Sequence, residues 1–573
     1  MQWWLLIFLF AFSSLQAQVE LCDDVKILDL DSFPMTSNEE LILCGQNKGS
    51  YKYVPLYQKE LYLKSYLQGR SYLNPKFTFK NNALEVMAGD LSQVEKVRVI
   101  SEDLSRNKFV EKRLRTVFKK EPLNPSTLNA IENETKEEFK RYGYACIVPS
   151  TIALTDKDEV IVKLTNQDKY RFGQLVVEPI KGIYPEALDR FYPFQATDDY
   201  NSRLLTLTEK RMVRSEVVQA SYFTDTCLNQ QEDFVLSQFF LIGHPRTIRF
   251  GIGASTEVGP MFRFKWNNNR YKKMASKLEA SVNLSYINQI LNLRSQQFLW
   301  RKHPRRSWIS DFTIAREDQK EFQQTSLNYD NLLNWTRDRE GHFYSWSLGP
   351  SYEYGYYLTS GETTRSFSNL YLKAMFSFMD HDFEFFDMHP EEGNALNFDV
   401  EYRDDGLGFN SDVLKLSSDY THFTHLMYWG KGALIGGFKT LLGTTVKEST
   451  VSSNSLPPNL KFYAGGSDDI RGFNLKSLPK NDGLGSLTKL GTKFELRKTK
   501  FILTSLELFT FYDLVFLGND SWTVDKSYWD SVGVGLRWVS PIGMVQTFIA
   551  NSYQHVPYEN LGPYGFLGLG GSF

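Results

Sequence analysis

The chain has 573 residues, 42% hydrophobic and 15% aromatic, with 65 basic against 67 acidic residues and a net charge of −2. That length allows several domains at ~150 residues each, and the balanced charge supplies no field that would recruit nucleic acid or another polyanion. Mean hydropathy is −0.36, and no segment beyond the first residues has the ~20 apolar residues of a spanning helix, so any membrane crossing must be made by strands.

The first residues carry the apolar run Trp3-Trp4-Leu5-Leu6-Ile7-Phe8-Leu9-Phe10-Ala11-Phe12, then Ser13-Ser14-Leu15-Gln16-Ala17-Gln18. This reads as a secretory signal over residues 1–17, cut after Ala17, although its first residues lack the usual Lys or Arg. Four cysteines, Cys22, Cys44, Cys146 and Cys227, agree with export to an oxidising compartment. Cys22 and Cys44 flank a strand-helix region and form a candidate disulfide pair. Cys146 and Cys227 fall in different modules and read as separate buried thiols.

From residue 18 to 245 the pattern is mixed α and β and repeats at roughly 75 residues. Each unit reads as strand, helix, helix closing on an aromatic-glycine turn, and two strands, which divides the span into 18–91, 92–166 and 167–245. In the second unit Val94–Ile100 is a strand, Phe109–Lys120 a helix, and Ser126 caps a helix running to Phe139. Tyr142-Gly143-Tyr144 then turns the chain, and Val160–Leu164 returns as a strand. The first unit offers Leu61–Tyr66, Gly69, Tyr72, and strands over 76–79 and 83–86. The third offers a strand over 173–177, a helix from Leu204 to Ala220, and Tyr222-Phe223.

Composition changes after residue 245. Outside the signal every tryptophan lies beyond it, from Trp266 to Trp538, as interfacial aromatic girdles require. Period-two alternation is clean. Leu278, Ala280, Val282, Leu284 and Tyr286 alternate with Lys277, Glu279, Ser281, Asn283 and Ser285; Leu396, Phe398, Val400 and Tyr402 alternate with Asn397, Asp399, Glu401 and Arg403. A soluble antiparallel sandwich alternates in the same way. Aromatic richness and segments of ~10 residues favour a membrane barrel, where a mid-bilayer Arg or Lys on the lipid side would cost ~2–4 kcal/mol. Residues 246–573, at ~20 per strand and connection, predict about 16 antiparallel strands, ending on Phe573.

Two local patterns stand out in that half. Gly465-Gly466-Ser467-Asp468-Asp469-Ile470-Arg471-Gly472-Phe473 puts an arginine in a glycine-flanked loop tip, which by itself could be an ordinary surface turn. Downstream, Glu495 alternates away from Phe494 and Leu496, and Phe511 and Asp513 share a face. If both carboxylates point inward, Arg471 has an aromatic surface and two counter-charges, which a charge in a narrow lumen needs. Catalytic signatures are absent from the sequence: there is no Gly-x-Ser-x-Gly elbow, His-Glu-x-x-His pair, phosphate-binding glycine loop or Cys-x-x-Cys. Asp404-Asp405-Gly406 with Asn410 and Asp412 lacks calcium-loop spacing and reads as a polar turn. The expectation is a protein without catalytic residues, metal or cofactor.

These residues resemble the BamA/TamA superfamily, the bacterial surface antigen family of outer-membrane barrels with periplasmic POTRA domains, and the TamA branch most closely. Ile470-Arg471-Gly472-Phe473 is similar to the family's motif at the tip of the sixth extracellular loop. Gly491-Thr492-Lys493-Phe494-Glu495-Leu496-Arg497 and Phe511-Tyr512-Asp513 are similar to the strands that receive it. The resemblance implies a lumen latch of Arg471, Gly472, Phe473, Glu495, Phe511 and Asp513. Val532–Gly543, with Gly533, Gly535, Arg537, Pro541 and Gly543, resembles the late-barrel signature. Phe250-Gly251-Ile252-Gly253 resembles the first strand, so a weak lateral seam is implied between Phe250, Gly251 and Gly253 on one side and Phe566, Gly568 and Phe573 on the other. The glycines could instead be simple strand kinks.

By this resemblance the chain would be an outer-membrane protein with POTRA modules in the periplasm, inserting or secreting client outer-membrane or secreted proteins. Its partners would be outer-membrane lipids, the clients and a TamB-like inner-membrane-anchored protein, with no nucleic acid. The alternatives are a two-partner-secretion transporter, which usually has two POTRA units, and a passive porin or receptor.

Overall fold

The computed structural model describes residues 19–22, 24–30, 35–45, 54–154, 158–227, 235–359, 364–386, 390–404, 412–430, 432–449, 452–479, 484–540 and 543–569. The expected signal, the turn at 405–411, Pro541 and Phe573 lie outside them.

The first compact unit comprises the described residues up to Lys140 together with Cys146–Asp168. It begins with β1 (Val19–Cys22), β2 (Val25–Ile27), α1 (Ser37–Cys44), α2 (Leu56–Gly69), β3 (Lys76–Lys80) and β4 (Ala83–Met87), its sheet ordered β1-β2-β4-β3. Thr36 and Glu39 cap α1 reciprocally. Val25, Ile27, Leu43, Leu63, Leu67, Leu84 and Val86 are buried between helices and sheet. Cys22 and Cys44 are joined by a disulfide, with Cα atoms 5.5 Å apart.

The same unit continues with β5 (Lys96–Ile100), α3 (Leu104–Phe118), α4 (Pro125–Lys140), β6 (Val148–Leu154) and β7 (Glu159–Thr165), in the order β5-β7-β6. Val97, Val99, Val110, Leu114, Ile131, Phe139, Val160 and Val162 are buried. The Asn124 side chain, not Ser126, accepts the Thr127 N–H at the start of α4, because Pro125 takes the first helical position. Cys146 and Cys227 are both disulfide-bonded, which corrects their reading as thiols. Assignment to different modules does not protect a thiol from oxidation.

The second unit comprises Arg141–Ala145 and Lys169–Phe573. Its small sheet is β8 (Leu175–Val177), β10 (Val235–Leu241) and β9 (Ala220–Thr226), covered by α5 (Ser202–Arg214). The helix expected to reach Ala220 stops at Arg214, because residues 220–226 pair along the whole of β10. Tyr222 and Phe223 belong to that strand, not to a turn. Among the described residues no α-helix lies between β8 and α5; two single helical turns, Pro185–Ala187 and Asp189–Phe191, stand there. They pack on a barrel turn: Tyr184 N–H donates to the Lys273 carbonyl at 2.8 Å, and the Arg190 guanidinium donates to the carbonyls of Met274 and Ala275 at 2.8 and 3.0 Å.

The barrel strands are β11 (Arg246–Ser255), β12 (Gly259–Asn268), β13 (Lys277–Ser285), β14 (Asn288–Gln297), β15 (Arg306–Asp318), β16 (Phe322–Arg339), β17 (His342–Thr359) and β18 (Arg365–Asp380). After the short α6 (His381–Phe386) come β19 (Gly393–Arg403), β20 (Val413–Trp429), β21 (Gly432–Lys447), β22 (Thr488–Lys498), β23 (Leu506–Gly518), β24 (Tyr528–Ser540), β25 (Gly543–His555) and β26 (Glu559–Leu569). Each pairs with the next, and β26 meets β11 to close a 16-stranded antiparallel barrel. Charges alternate to the inside and pair there: Lys265 with Glu279 at 2.9 Å, Lys373 with Asp330 at 2.7 Å, and Arg403 with Glu401 at 2.8 Å. The opposite rows, such as Ile248, Phe250 and Ile252, are exposed and apolar. Among the described residues no helix is long and apolar enough to cross a membrane.

Candidate lumen latch and barrel seam

The connection between β21 and β22 spans residues 448–487 and folds into the barrel, burying Leu456, Leu460, Ile470, Phe473 and Leu478. At its tip the Arg471 main-chain N–H donates to Asp513 Oδ2 at 2.9 Å, Nε to the same oxygen at 2.8 Å, and Nη2 to Oδ1 at 2.8 Å. Nη1 donates to Glu495 Oε2 at 2.6 Å. The guanidinium lies 3.9 Å from the centroid of Phe511, a cation–π contact. Burial works against the Arg471 charge, but Asp513 and Glu495 outweigh it and raise its pKa.

Two hydroxyls that the sequence did not single out hold the loop backbone. Ser531 Oγ donates to the Arg471 carbonyl, and Ser552 Oγ to the Gly472 carbonyl at 2.6 Å. Gly472 has φ +90°, and a Cβ there would sit 2.5 Å from Ser552 Oγ, so no side chain fits. Phe473 packs with Ile470, Leu478, Val515, Leu517 and Trp529. Serines on a wall strand carry no motif; only the loop's docking gives them a role.

The late-barrel residues reach the same place. Arg537 lies 3.7 Å from Glu495 and 3.3 Å from Glu507. A Cβ on Gly533 would come within 2.4 Å of Phe511, and one on Gly535 within 2.5 Å of Phe509. These glycines make room for rings of the adjacent strand rather than weakening the pairing. Gly543 opens β25, its carbonyl accepting from Ser540 Oγ at 2.6 Å.

Where β26 meets β11, Ala254 faces Leu569 and Ser255 faces Gly568. Among the described residues every other adjacent pair in the barrel is longer, β11 and β12 matching along their full length. Phe566 turns inward and stacks on Phe548 at 4.9 Å, which meets Phe511 edge-on at 5.4 Å, the ring beneath Arg471. Gly568 lies beside the Phe566 ring. Phe250, Gly251 and Gly253 pair with Phe264, Arg263 and Met261 of β12, and the residues that follow Leu569 lie outside the described ones. The Phe250 ring points outward against Phe264 at 5.3 Å and so does not face Phe566. A cavity of about 680 Å³ opens beside this edge, lined by Arg249, Arg263, Lys265, Glu279 and Phe566. Among the described residues no group of three or more His, Cys, Asp or Glu side chains could hold a metal ion.

The family model for the Omp85 superfamily domain matches residues 248–573, the whole barrel but its first residues. The chain belongs to the Omp85 superfamily. Members of that superfamily are transporters and assembly factors of the bacterial outer membrane, working among its lipids and on client proteins. Similar solved structures include BamA from Haemophilus ducreyi lacking POTRA domains 1–3, at 14% identity and TM-score 0.49, covering 84% of this chain and 100% of that one. CdiB from Acinetobacter baumannii has 14% identity and TM-score 0.49, covering 85% of this chain and 90% of that one. CdiB from Escherichia coli has 11% identity and TM-score 0.49, covering 90% and 96%. In this Omp85 barrel the arginine tip and the final strand are connected by contacting aromatic rings.

Proposed function

We propose that this Omp85 protein inserts or secretes client proteins at the outer membrane through a lateral opening between β11 and β26. The observation that carries the reading is the seam: among the described residues two facing pairs join β11 to β26, against ten between β11 and β12. A backbone edge with few partners is ready to accept an added strand. Arg471, Glu495, Asp513, Gly472 and Phe473 act as the latch that keeps the loop in the lumen. Division of residues 18–245 into three periplasmic POTRA modules supplies sheet edges that capture extended client or partner segments by strand addition. Among the described residues three small sheets precede the barrel, which favours this reading over a two-module secretion transporter, and a plugged lumen speaks against a passive pore.

The test is a cysteine pair across the seam, A254C with L569C. Oxidation is expected to stop client assembly and reduction to restore it. Full assembly by the oxidised protein sinks the reading. The proposed TamB-like partner is tested separately, by its co-purification with the intact protein and its loss when residues 19–245 are removed.

A further inference from the structure

Gly465-Gly466-Ser467 takes no part in binding the Arg471 guanidinium. Its contact is with the first hairpin of the barrel. The turn between β11 and β12 carries Glu257, whose Oε1 accepts the Ser467 N–H and whose Oε2 accepts the Ser467 hydroxyl, both at 2.9 Å. Gly466 permits this approach: its φ is +113°, and a Cβ would lie 3.1 Å from Glu257 Oε1 and 2.8 Å from Leu475 Cδ1.

Glu257 stands one residue beyond the seam. Thr256 donates its N–H to the Leu567 carbonyl at 2.9 Å, and its hydroxyl accepts the Leu567 N–H at 3.2 Å. The first hairpin is therefore held to the last strands by two routes that start at adjacent residues. One is the short backbone seam of Ala254, Ser255 and Thr256 with β26. The other runs from Glu257 through Ser467 to Arg471 and Gly472, from Arg471 to Asp513 on β23 and Ser531 on β24, and from Gly472 to Ser552 on β25, the strand that pairs with β26. Two hydrogen bonds to a charged carboxylate in the second route are each stronger than a neutral backbone bond of the first.

We propose that Glu257 and Ser467 form a strap across the seam, and that this bond must break before the first hairpin can separate from β26. The inference rests on the lateral opening proposed above and assigns its closed state to a positioning pair in which the loop holds the first hairpin. Arg471 anchors the loop to the wall; Glu257 attaches the movable hairpin to the loop. The two functions are separable because the two contacts lie on different strands.

The experiment uses full-length protein in outer-membrane vesicles, with the A254C and L569C pair as a reporter of the closed seam. Folding of each variant is checked by heat-modifiable migration. E257A is expected to lower the disulfide yield at least two-fold. S467A, which keeps the main-chain donor, should lower it less, and E257Q, which keeps an acceptor oxygen, should recover part of the yield. If E257A does not fold, S467A and E257Q still rank the strap. Yields in folded variants equal to the parent overturn the proposal. If the yield falls in E257A but locking the seam leaves assembly intact, the strap stands and the lateral opening fails. If locking blocks assembly while E257A leaves the yield unchanged, the strap alone fails.

Discussion

Arg471 and Asp513 are joined at three points, through the arginine main-chain N–H, Nε and Nη2, with the carboxylate completely buried. The loop tip is thus positioned by backbone as well as charge. Removing the guanidinium leaves Asp513 without its counter-charge, a loss of ~3–5 kcal/mol for a buried pair.

R471A is expected to release the 448–487 loop while the barrel still forms, since the strand ladders do not depend on the tip. Limited proteolysis should cut the loop in folded R471A protein and spare the parent. R471K should behave nearly as badly, because an ammonium cannot reproduce the fork that meets Asp513 and Glu495 together. Retained protection in R471K would count against the geometry.

G472A should act through the backbone. Its φ of +90° and the 2.5 Å approach to Ser552 Oγ leave no space for a methyl group, and strain of ~1–3 kcal/mol is expected at such a position. Combining G472A with S552A should relieve the nearest contact but neither the 2.9 Å approach to Ser531 Cβ nor the strain, giving partial recovery of loop protection. Full recovery would show that crowding alone mattered.

Phe566 is buried against Phe548, so F566A is expected to cost ~3–5 kcal/mol locally, as core Phe-to-Ala changes do. The loss should appear at the seam, as faster hydrogen exchange in β26 with unchanged exchange in β16 and β17. Uniform exchange across the barrel would mean the ring does not serve the seam.

Arg211 on α5 donates to Glu384 at 2.6 Å and to Asp338 at 2.8 Å, with both the arginine and Asp338 buried. R211A should loosen α5 from the end of β16 and from α6 by ~3 kcal/mol or more. Hydrogen exchange should rise in α5 and α6 and stay constant in α3 and α4.

The disulfide between Cys22 and Cys44 closes a segment of sequence separation 22. By chain entropy its removal should destabilise the first sheet by ~3 kcal/mol. C22S should become protease-sensitive within residues 54–91 while the barrel keeps its heat-modifiable band.

Much of this protein was legible from one sequence because alternation is local. Whether Glu279 or Leu278 faces the lumen depends only on a period of two, so strand faces and strand number follow from spacing alone. The parity that puts Glu495, Phe511 and Asp513 on one side was readable for the same reason. Helix ends in the modules were less so: α5 stops at Arg214 because β10, more than twenty residues on, claims residues 220–226.

The seam was decided by tertiary structure. The facing of Ala254 with Leu569 depends on the stagger accumulated over all sixteen strands, which no single strand encodes. For the same reason Phe250, in a recognisable glycine motif, points outward and away from Phe566. Ser531, Ser552 and Glu257 gain partners only when a long loop returns to the lumen. Local periodicity specified the wall and its two faces; non-local closure specified which residues of the first and last strands meet and which loop residues reach them.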